Sequence, residues 1–310
     1  MKPLLFALPG NTHLADSLVS QLDAERGTLT LREFPDGESY VRIDSPVAGR
    51  EVVLLCTLDR PNAKLLPLLF LARTARELGA TRVGLIAPYL AYMRQDQRFH
   101  EGEAVTSRHF AQIVSLFADW LVTVDPHLHR FSDLDEIYSV PNRVVHAAPL
   151  ISQWVARLNT PVLIGPDGES EQWVAAVARA AGAPYLVLQK IRRGDRDVEV
   201  SVPDIELHRS RTPVLVDDII STAHTMIETV GQLKRAGLAP PVCVGVHAVF
   251  AGSAYRDLRA AGATRVVTCN TIEHETNAID VAAVVGTAAL ELMDRSPGAQ
   301  PGEAGSVSSM

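Results

Sequence analysis

The chain has 310 residues, 47% of them hydrophobic and 21% charged, a globular composition with apolar material for two cores, since domains commonly run to about 100–200 residues. Its formal net charge of −7 argues against a general nucleic-acid surface, while leaving room for a local basic site that grips phosphate. Three scattered cysteines without C-x-x-C spacing, an opening broken too soon for a signal peptide and Arg73 inside the longest apolar run together predict a soluble cytoplasmic protein with free thiols and no membrane partner.

Residues 4–8 form a short apolar run that predicts a buried strand, and a helix is expected over 11–22. Residues 29–34 and 40–44 alternate in polarity around Pro35-Asp36-Gly37, the pattern of a half-exposed hairpin. A buried strand is expected at 52–58, then an amphipathic helix over 62–78 ending at Gly79. Further strands are expected at 82–89 and 120–124. Strands alternating with helices imply a parallel sheet covered on both faces.

After Pro149 the same grammar restarts, with strands at 162–164, 185–188 and 198–202 and a helix over 170–181. The stretch Thr212-Pro-Val-Leu-Val-Asp-Asp-Ile-Ile-Ser-Thr-Ala-His-Thr225 follows. Its β-branched run at 214–216 reads as a buried strand, Asp217 and Asp218 stand where that strand ends, and Ser221, Thr222 and Thr225 lead into a helix over 226–237. A strand at 242–250, a helix from Ser253 and a strand at 265–268 complete the series. Glu51-Val-Val-Leu-Leu-Cys-Thr, with its following helix, Leu-Gly-Ala and strand, parallels Pro213-Val-Leu-Val-Asp-Asp with its helix, Ala-Gly-Leu and strand. The parallel implies duplication, with the paired acids in the second copy and Cys56 and Thr57 in the first. The expected division is two similar domains at 1–148 and 149–295, with a disordered Pro-, Gly- and Ser-rich tail at 296–310.

Several segments carry residues suited to chemistry. A strand, a polar turn and a helix start make an anion site, because backbone N–H groups and the helix dipole point at whatever lies in the turn. The stretch at 217–225 has that form; the alternative is an acidic strand end beside an ordinary N-cap. Phe34-Pro-Asp-Gly-Glu38 is a turn between strands, by itself no more than a good hairpin turn. Arg94, Gln95 and Arg98 cluster after a strand, where they can grip a nucleotide phosphate or stack on a base, or form a solvated loop. His127 and His129 follow another strand end, where ligands gather in α/β sheets, but no Cys or further His lies at zinc-ligand spacing. Asp167 again follows a strand, and can meet Mg²⁺ through water or take a sugar hydroxyl. Lys190 and Arg192 open a charge-dense run between two strands, by default an exposed hairpin tip.

Taken together, Phe-x-Asp-Gly-Glu, Arg-Gln-Asp, Val-Asp-x-His, Pro-Asp-Gly, Lys-x-Arg and Asp-Asp-Ile-Ile-Ser-Thr occur in an order and spacing that resembles the ribose-phosphate pyrophosphokinases, over about residues 1–290. The 217–225 loop alone is shared with type I phosphoribosyltransferases, which lack the first two motifs. The resemblance implies an α/β fold of two similar domains, each a mainly parallel sheet flanked by helices. It implies transfer of the pyrophosphoryl group of ATP to the 1-hydroxyl of ribose 5-phosphate, with Mg²⁺ and with a homo-oligomer of at least two chains. Residue by residue, Phe34, Asp36 and Glu38 would contact adenine from a neighbouring subunit, and Arg94 and Gln95 the nucleotide. His127 and Asp167 would lie near Mg²⁺, and Lys190 and Arg192 on a mobile catalytic loop. Asp217 and Asp218 would take the ribose hydroxyls, and the turn Ser221, Thr222, Ala223, His224 and Thr225 the 5′-phosphate.

The chain departs from this family at two places. His224 replaces the glycine of the common Asp-Thr-Ala-Gly-Thr loop; it is expected to take that glycine's left-handed backbone and to stand beside the phosphate. His100-Glu-Gly-Glu-Ala-Val-Thr106 replaces the Lys-Ser-Arg-Glu-Pro-Ile-Ser type of phosphate-activated enzymes, so regulation by ADP and phosphate is not implied. Two other functions are compatible with the loop: a phosphoribosyltransferase that consumes phosphoribosyl pyrophosphate, and a non-catalytic regulatory homologue of the synthetase.

Overall fold

A computed structural model describes residues 1–128, 130–166, 170–193, 197–201 and 205–294. They fall into two units, Met1–Val145 joined by the C-terminal helix, and His146–Val281. The expected tail at 296–310 lies outside the described residues.

In the first unit, β1 (Leu4–Ala7), α1 (Thr12–Gln21) and β2 (Glu25–Arg26) precede a separate antiparallel hairpin of β3 (Leu29–Glu33) and β4 (Ser39–Ile43). Then come β5 (Glu51–Leu55), α2 (Pro61–Glu77), β6 (Arg82–Ala87), α3 (Thr106–Ser115), β7 (Trp120–Val124) and β8 (Asn142–Val145). The sheet runs β2-β1-β5-β6-β7-β8, parallel throughout.

The second unit opens with α4 (Ala148–Val155), β9 (Pro161–Gly165), α5 (Glu171–Ala181) and β10 (Tyr185–Val187). A hairpin of β11 (Gln189–Arg193) and β12 (Asp197–Ser201) is followed by β13 (Thr212–Ile219), α6 (His224–Arg235) and β14 (Val242–His247). It closes with α7 (Ala254–Ala261), β15 (Arg265–Cys269) and β16 (Asn277–Ile279). Its sheet runs β10-β9-β13-β14-β15-β16, again parallel. Counted in chain order, the two sheets share one strand order, each with a hairpin inserted between its second and third strands.

The last helix, α8 (Ala282–Met293), packs on α1, β7 and β8. It therefore belongs to the first unit, although the sequence division placed it in a domain spanning 149–295. Arg82 fixes its end by donating to the carbonyls of Leu292 and Met293 at 3.0 Å, where a helix C-terminus lacks internal partners.

Both cores follow from pattern. In α2, Leu68, Leu71, Ala72 and Ala75 recur at three- and four-residue spacing and face β-sheet residues such as Phe6, Leu54 and Leu85. In α6, Met226, Val230 and Leu233 do the same against Ile164 and Leu215. Each of the leucine, valine and methionine side chains contributes about 1.5–3 kcal/mol on burial. All three cysteines are free and buried, as expected, and burial pushes the Cys56 and Cys243 thiols up to about 12. Among the described residues no helix is long and apolar enough to cross a membrane.

Gly84 of β6 pairs with Trp120 of β7, and the fully buried indole folds across it, its N–H donating to Glu51 at 2.8 Å. A Cβ at Gly84 would lie 1.9 Å from Trp120 Cε2. Gly84→Ala should therefore lower folding stability by about 1–3 kcal/mol or more, as overpacking a close-packed core does. The check is the urea midpoint at unchanged m-value; an unshifted midpoint would mean the indole repacks without loss.

Candidate functional site

The centre of the second unit is β13, whose Val214, Leu215 and Val216 are buried between β9 and β14. The strand does not stop at Val216, as the apolar run suggested. Parallel pairing with β14 continues through Asp217↔Gly245 to Ile219↔His247, so both acids lie within the strand and are half-buried. Asp218 donates its backbone N–H to the Asp217 carboxylate at 2.9 Å.

Ile220 then turns inward and is 1% exposed. It occupies the space over Gly245, where a Cβ would lie 2.6 Å from Ile220 Cγ1. Three backbone bonds pin this exit to the end of β14 and the segment after it. Ile220 N–H donates to the His247 carbonyl at 3.0 Å, Phe250 N–H to the Ile220 carbonyl at 2.9 Å, and Ala251 N–H to the Ser221 carbonyl at 3.1 Å.

The left-handed residue of the turn is Ala223, at φ 57°, and not His224. The helix begins two residues earlier than the apolar spacing suggested, so His224 is its first residue and takes helical backbone. No described side chain caps this N-terminus, and the N–H groups of its first turn have no intrahelical partner. Lys234 and Arg235 in the last turn complement the dipole. Ser221 is half-buried, whereas Thr222, His224 and Thr225 are exposed beside these N–H groups. The arrangement offers an anion hydroxyls and backbone donors at a positive helix end, with two carboxylates a short way off to accept bonds from hydroxyls.

Lys190 and Arg192 are two residues apart on β11, opposite Val200 and Val198 of β12. The sequence set them between two strands, but the first strand of the hairpin includes them. The hairpin leaves the C-terminal edge of the same sheet, just beyond β10, where Leu188 N–H still bonds the Gly165 carbonyl. Asp167, which follows Gly165 and Pro166, and His129 of the first unit lie outside the described residues.

The other expected residues belong to the first unit. The β3–β4 turn is closed by Phe34 N–H to the Glu38 carbonyl at 2.8 Å and Gly37 N–H to the Phe34 carbonyl at 2.9 Å, with Gly37 at φ 90°. Asp36 and Glu38 are exposed, and the exposed Phe34 ring meets Tyr40 edge-on while Arg32 stacks over both. Arg94, exposed, and Gln95, half-buried, follow β6, and the half-buried His127 follows β7. Val124 N–H bonds the Pro88 carbonyl and Asp125 N–H the Val145 carbonyl, so the 94–95 and 127 segments leave one edge of one sheet. Arg98 is tied into its own loop, donating to the Glu103 carbonyl at 2.8 Å. Among the described residues no three His, Cys, Asp or Glu side chains gather to hold a metal.

Sequence reasoning missed the residues that shape the turn: Gly245, Phe250 and Ala251. A glycine inside the strand pattern Val242-Cys-Val-Gly-Val-His was the available signal, since it marks a close approach.

Two family profiles match the chain. One describes the N-terminal domain of ribose phosphate pyrophosphokinase, over residues 3–116, and the other a phosphoribosyl transferase domain, over 133–284. The ribose-phosphate pyrophosphokinase of Methanothermobacter thermautotrophicus is 32% identical over 283 residues, covering 91% of this chain and 98% of the relative. That of Methanopyrus kandleri is 33% identical over 288 residues, covering 92% and 98%. The crystal structure of phosphoribosylpyrophosphate synthetase from Mycobacterium smegmatis superposes with a TM-score of 0.82 at 24% identity, covering 94% of this chain and 99% of that one, a likeness of fold. The chain is thus an α/β protein with phosphoribosyltransferase-type domains. More narrowly, it belongs to the ribose-phosphate pyrophosphokinase family.

Because Ile220 fills the space that Gly245 leaves, Gly245→Ala should displace the exit of β13 while sparing the acids themselves. We expect a thermal midpoint several degrees lower, the scale of about 1–3 kcal/mol of overpacking, and weaker binding of ribose 5-phosphate by calorimetry. A variant equal to wild type in both would show that the turn is fixed elsewhere.

Proposed function

We propose that this chain performs its family's reaction, converting ATP and ribose 5-phosphate to AMP and phosphoribosyl pyrophosphate. The observation that carries the reading is the half-buried Asp217–Asp218 pair one short turn ahead of the uncapped start of α6. That spacing suits a phosphorylated sugar: the carboxylates accept bonds from ribose hydroxyls, and the turn 221–225 receives the 5′-phosphate. The ring's 1-hydroxyl attacks the β-phosphorus, an O–P bond forms, the α–β bridging bond breaks, and AMP leaves as the hydroxyl proton is lost. Such transfer asks the protein for alignment and for neutralisation of growing charge.

Lys190 and Arg192, on the hairpin that follows β10 of the same sheet, serve as the cationic donors to the transferred group. Arg94 and Gln95 contact the nucleotide, and Phe34, Asp36 and Glu38 read adenine on a neighbouring subunit, which makes the working form at least a homodimer. Mg²⁺ suits this chemistry because it keeps several waters and binds through nucleotide phosphates with one or two protein groups. His127 and Asp167 would hold it, and when bound it neutralises phosphate charge. The compartment we assign is the cytoplasm.

The direct test is AMP formation from ATP, Mg²⁺ and ribose 5-phosphate; a protein that instead consumes phosphoribosyl pyrophosphate with a free base would overturn the reading. Two sets of variants should then separate. Lys190→Ala and Arg192→Ala should lower turnover on the order of 10²-fold with little change in ribose 5-phosphate affinity, whereas Asp217→Asn and Asp218→Asn should weaken that affinity without unfolding the chain. Assembly gives the second check: specific activity should fall on dilution in step with loss of dimers by light scattering. A fully active monomer would remove Phe34 from the nucleotide site.

A further inference from the structure

Three aromatic rings in the second unit touch one another on the flank of the 220–225 turn. Phe250 stacks on His274 with centroids 4.6 Å apart at 39°, Tyr255 meets the His274 ring edge-on at 5.1 Å and 85°, and Phe250 lies 5.5 Å from Tyr255. None of these residues belongs to the expected binding motifs.

Phe250 is the residue whose backbone meets the turn. Its φ is 27°, a left-handed value that a bulky residue adopts only when its surroundings hold it there. In that conformation the N–H groups of Phe250 and Ala251 both point at the turn and bond the carbonyls of Ile220 and Ser221. Relaxation of Phe250 toward an ordinary negative φ would swing both donors away. What resists relaxation is the ring contact. His274 is itself fixed, because its Nδ1 accepts the Thr276 N–H at 3.2 Å and lies 2.9 Å from Thr276 Oγ1, while its own N–H bonds the Asn277 side chain at 3.0 Å. An Nδ1 that accepts leaves the proton on Nε2, so the stacked ring is the neutral imidazole. Burial favours that state.

We infer that Phe250, Tyr255 and His274 form a positioning cluster: they hold Phe250 in its left-handed backbone and so set the placement of the 5′-phosphate turn. The inference rests on the reading of that turn as the ribose 5-phosphate site. The cluster touches the turn's backbone and not the substrate, so its loss should act on sugar binding and leave the transfer step intact.

The experiment measures ribose 5-phosphate binding by calorimetry and initial rates for wild type, His274→Ala, His274→Phe and Tyr255→Leu. We expect His274→Ala to raise the Kd and KM for ribose 5-phosphate roughly tenfold, with kcat and the KM for ATP changed less than about twofold, the signature of a displaced binding group. His274→Phe keeps the stack without the imidazole and should recover most of the loss. Tyr255→Leu spares the Thr276 bonds, should show a smaller rise of the same kind, and carries the comparison if His274→Ala does not fold. Variants that melt lower yet bind the sugar as wild type does would overturn the inference and make the cluster structural packing. Wild type that binds no ribose 5-phosphate would instead remove the reading of the turn, and the inference with it.

Discussion

The pairing of Asp217 with Gly245 across β13 and β14 sets the shape of the strand end in the second unit. A parallel ladder fixes which residues stand opposite each other, and a glycine opposite the first acid leaves a gap in the layer of side chains. Ile220 closes that gap, which forces the chain to leave the sheet directly after Ile219. The acids thus remain half-buried on the strand while the next residues turn toward the start of α6. Rigidity is supplied by the buried isoleucine and by backbone bonds from both Phe250 and Ala251, while Thr222 and Thr225 of the turn are exposed. A site built this way keeps its donors in place without spending a side-chain cap on the helix start.

The two units show what that arrangement requires, because they share strand order and differ at the corresponding place. In the first unit the third strand, β5, leads to Cys56 and Thr57. There the Thr57 N–H is taken by the Asn11 side chain at 3.0 Å, and Lys64 bonds the Thr57 carbonyl at 2.9 Å and pairs with Asp59. The following helix opens with Pro61, which lacks an N–H. At this place in the first unit one backbone N–H is taken by a side chain and one is missing at the proline, although the start of α2, like that of α6, carries no side-chain cap. The same fold therefore carries paired acids at this strand end in one unit and an internally bonded threonine in the other.

How much of this was legible depends on the kind of signal. Strands such as Trp120–Val124 and helices such as Glu171–Ala181 announced themselves through short apolar runs and through spacing of three and four residues. Helix α8 did not, because Ala282–Met293 is apolar on most sides and shows no polar stripe, and β2 is only two residues long. The acids and the turn were readable as residue types. Their setting was not: propensity ended β13 at Val216, whereas pairing with β14 carried it to Ile219. Likewise the histidine in place of a glycine drew attention to His224, but the left-handed position fell on Ala223, since the helix starts at His224. The placement of Phe250 depends on His274, twenty-four residues away, and no local pattern encodes it.

The hairpins occupy the same place in both units. Each is inserted after the second strand of its sheet, which lies on the far side of the first strand from the third. A chain that must return from the second strand to the third has to cross the C-terminal edge or pass under the sheet, and a hairpin inserted there begins at that edge, where ligands of α/β sheets collect. In the first unit the hairpin ends in an exposed aromatic turn steadied by Arg32; in the second it carries Lys190 and Arg192. The sheet supplies fixed acids and backbone donors, while the hairpin is a two-stranded sheet apart from the main one. Under the proposed reading, binding groups on the sheet and transfer groups on the hairpin would divide the work between a rigid element and one that adjusts to a substrate already held.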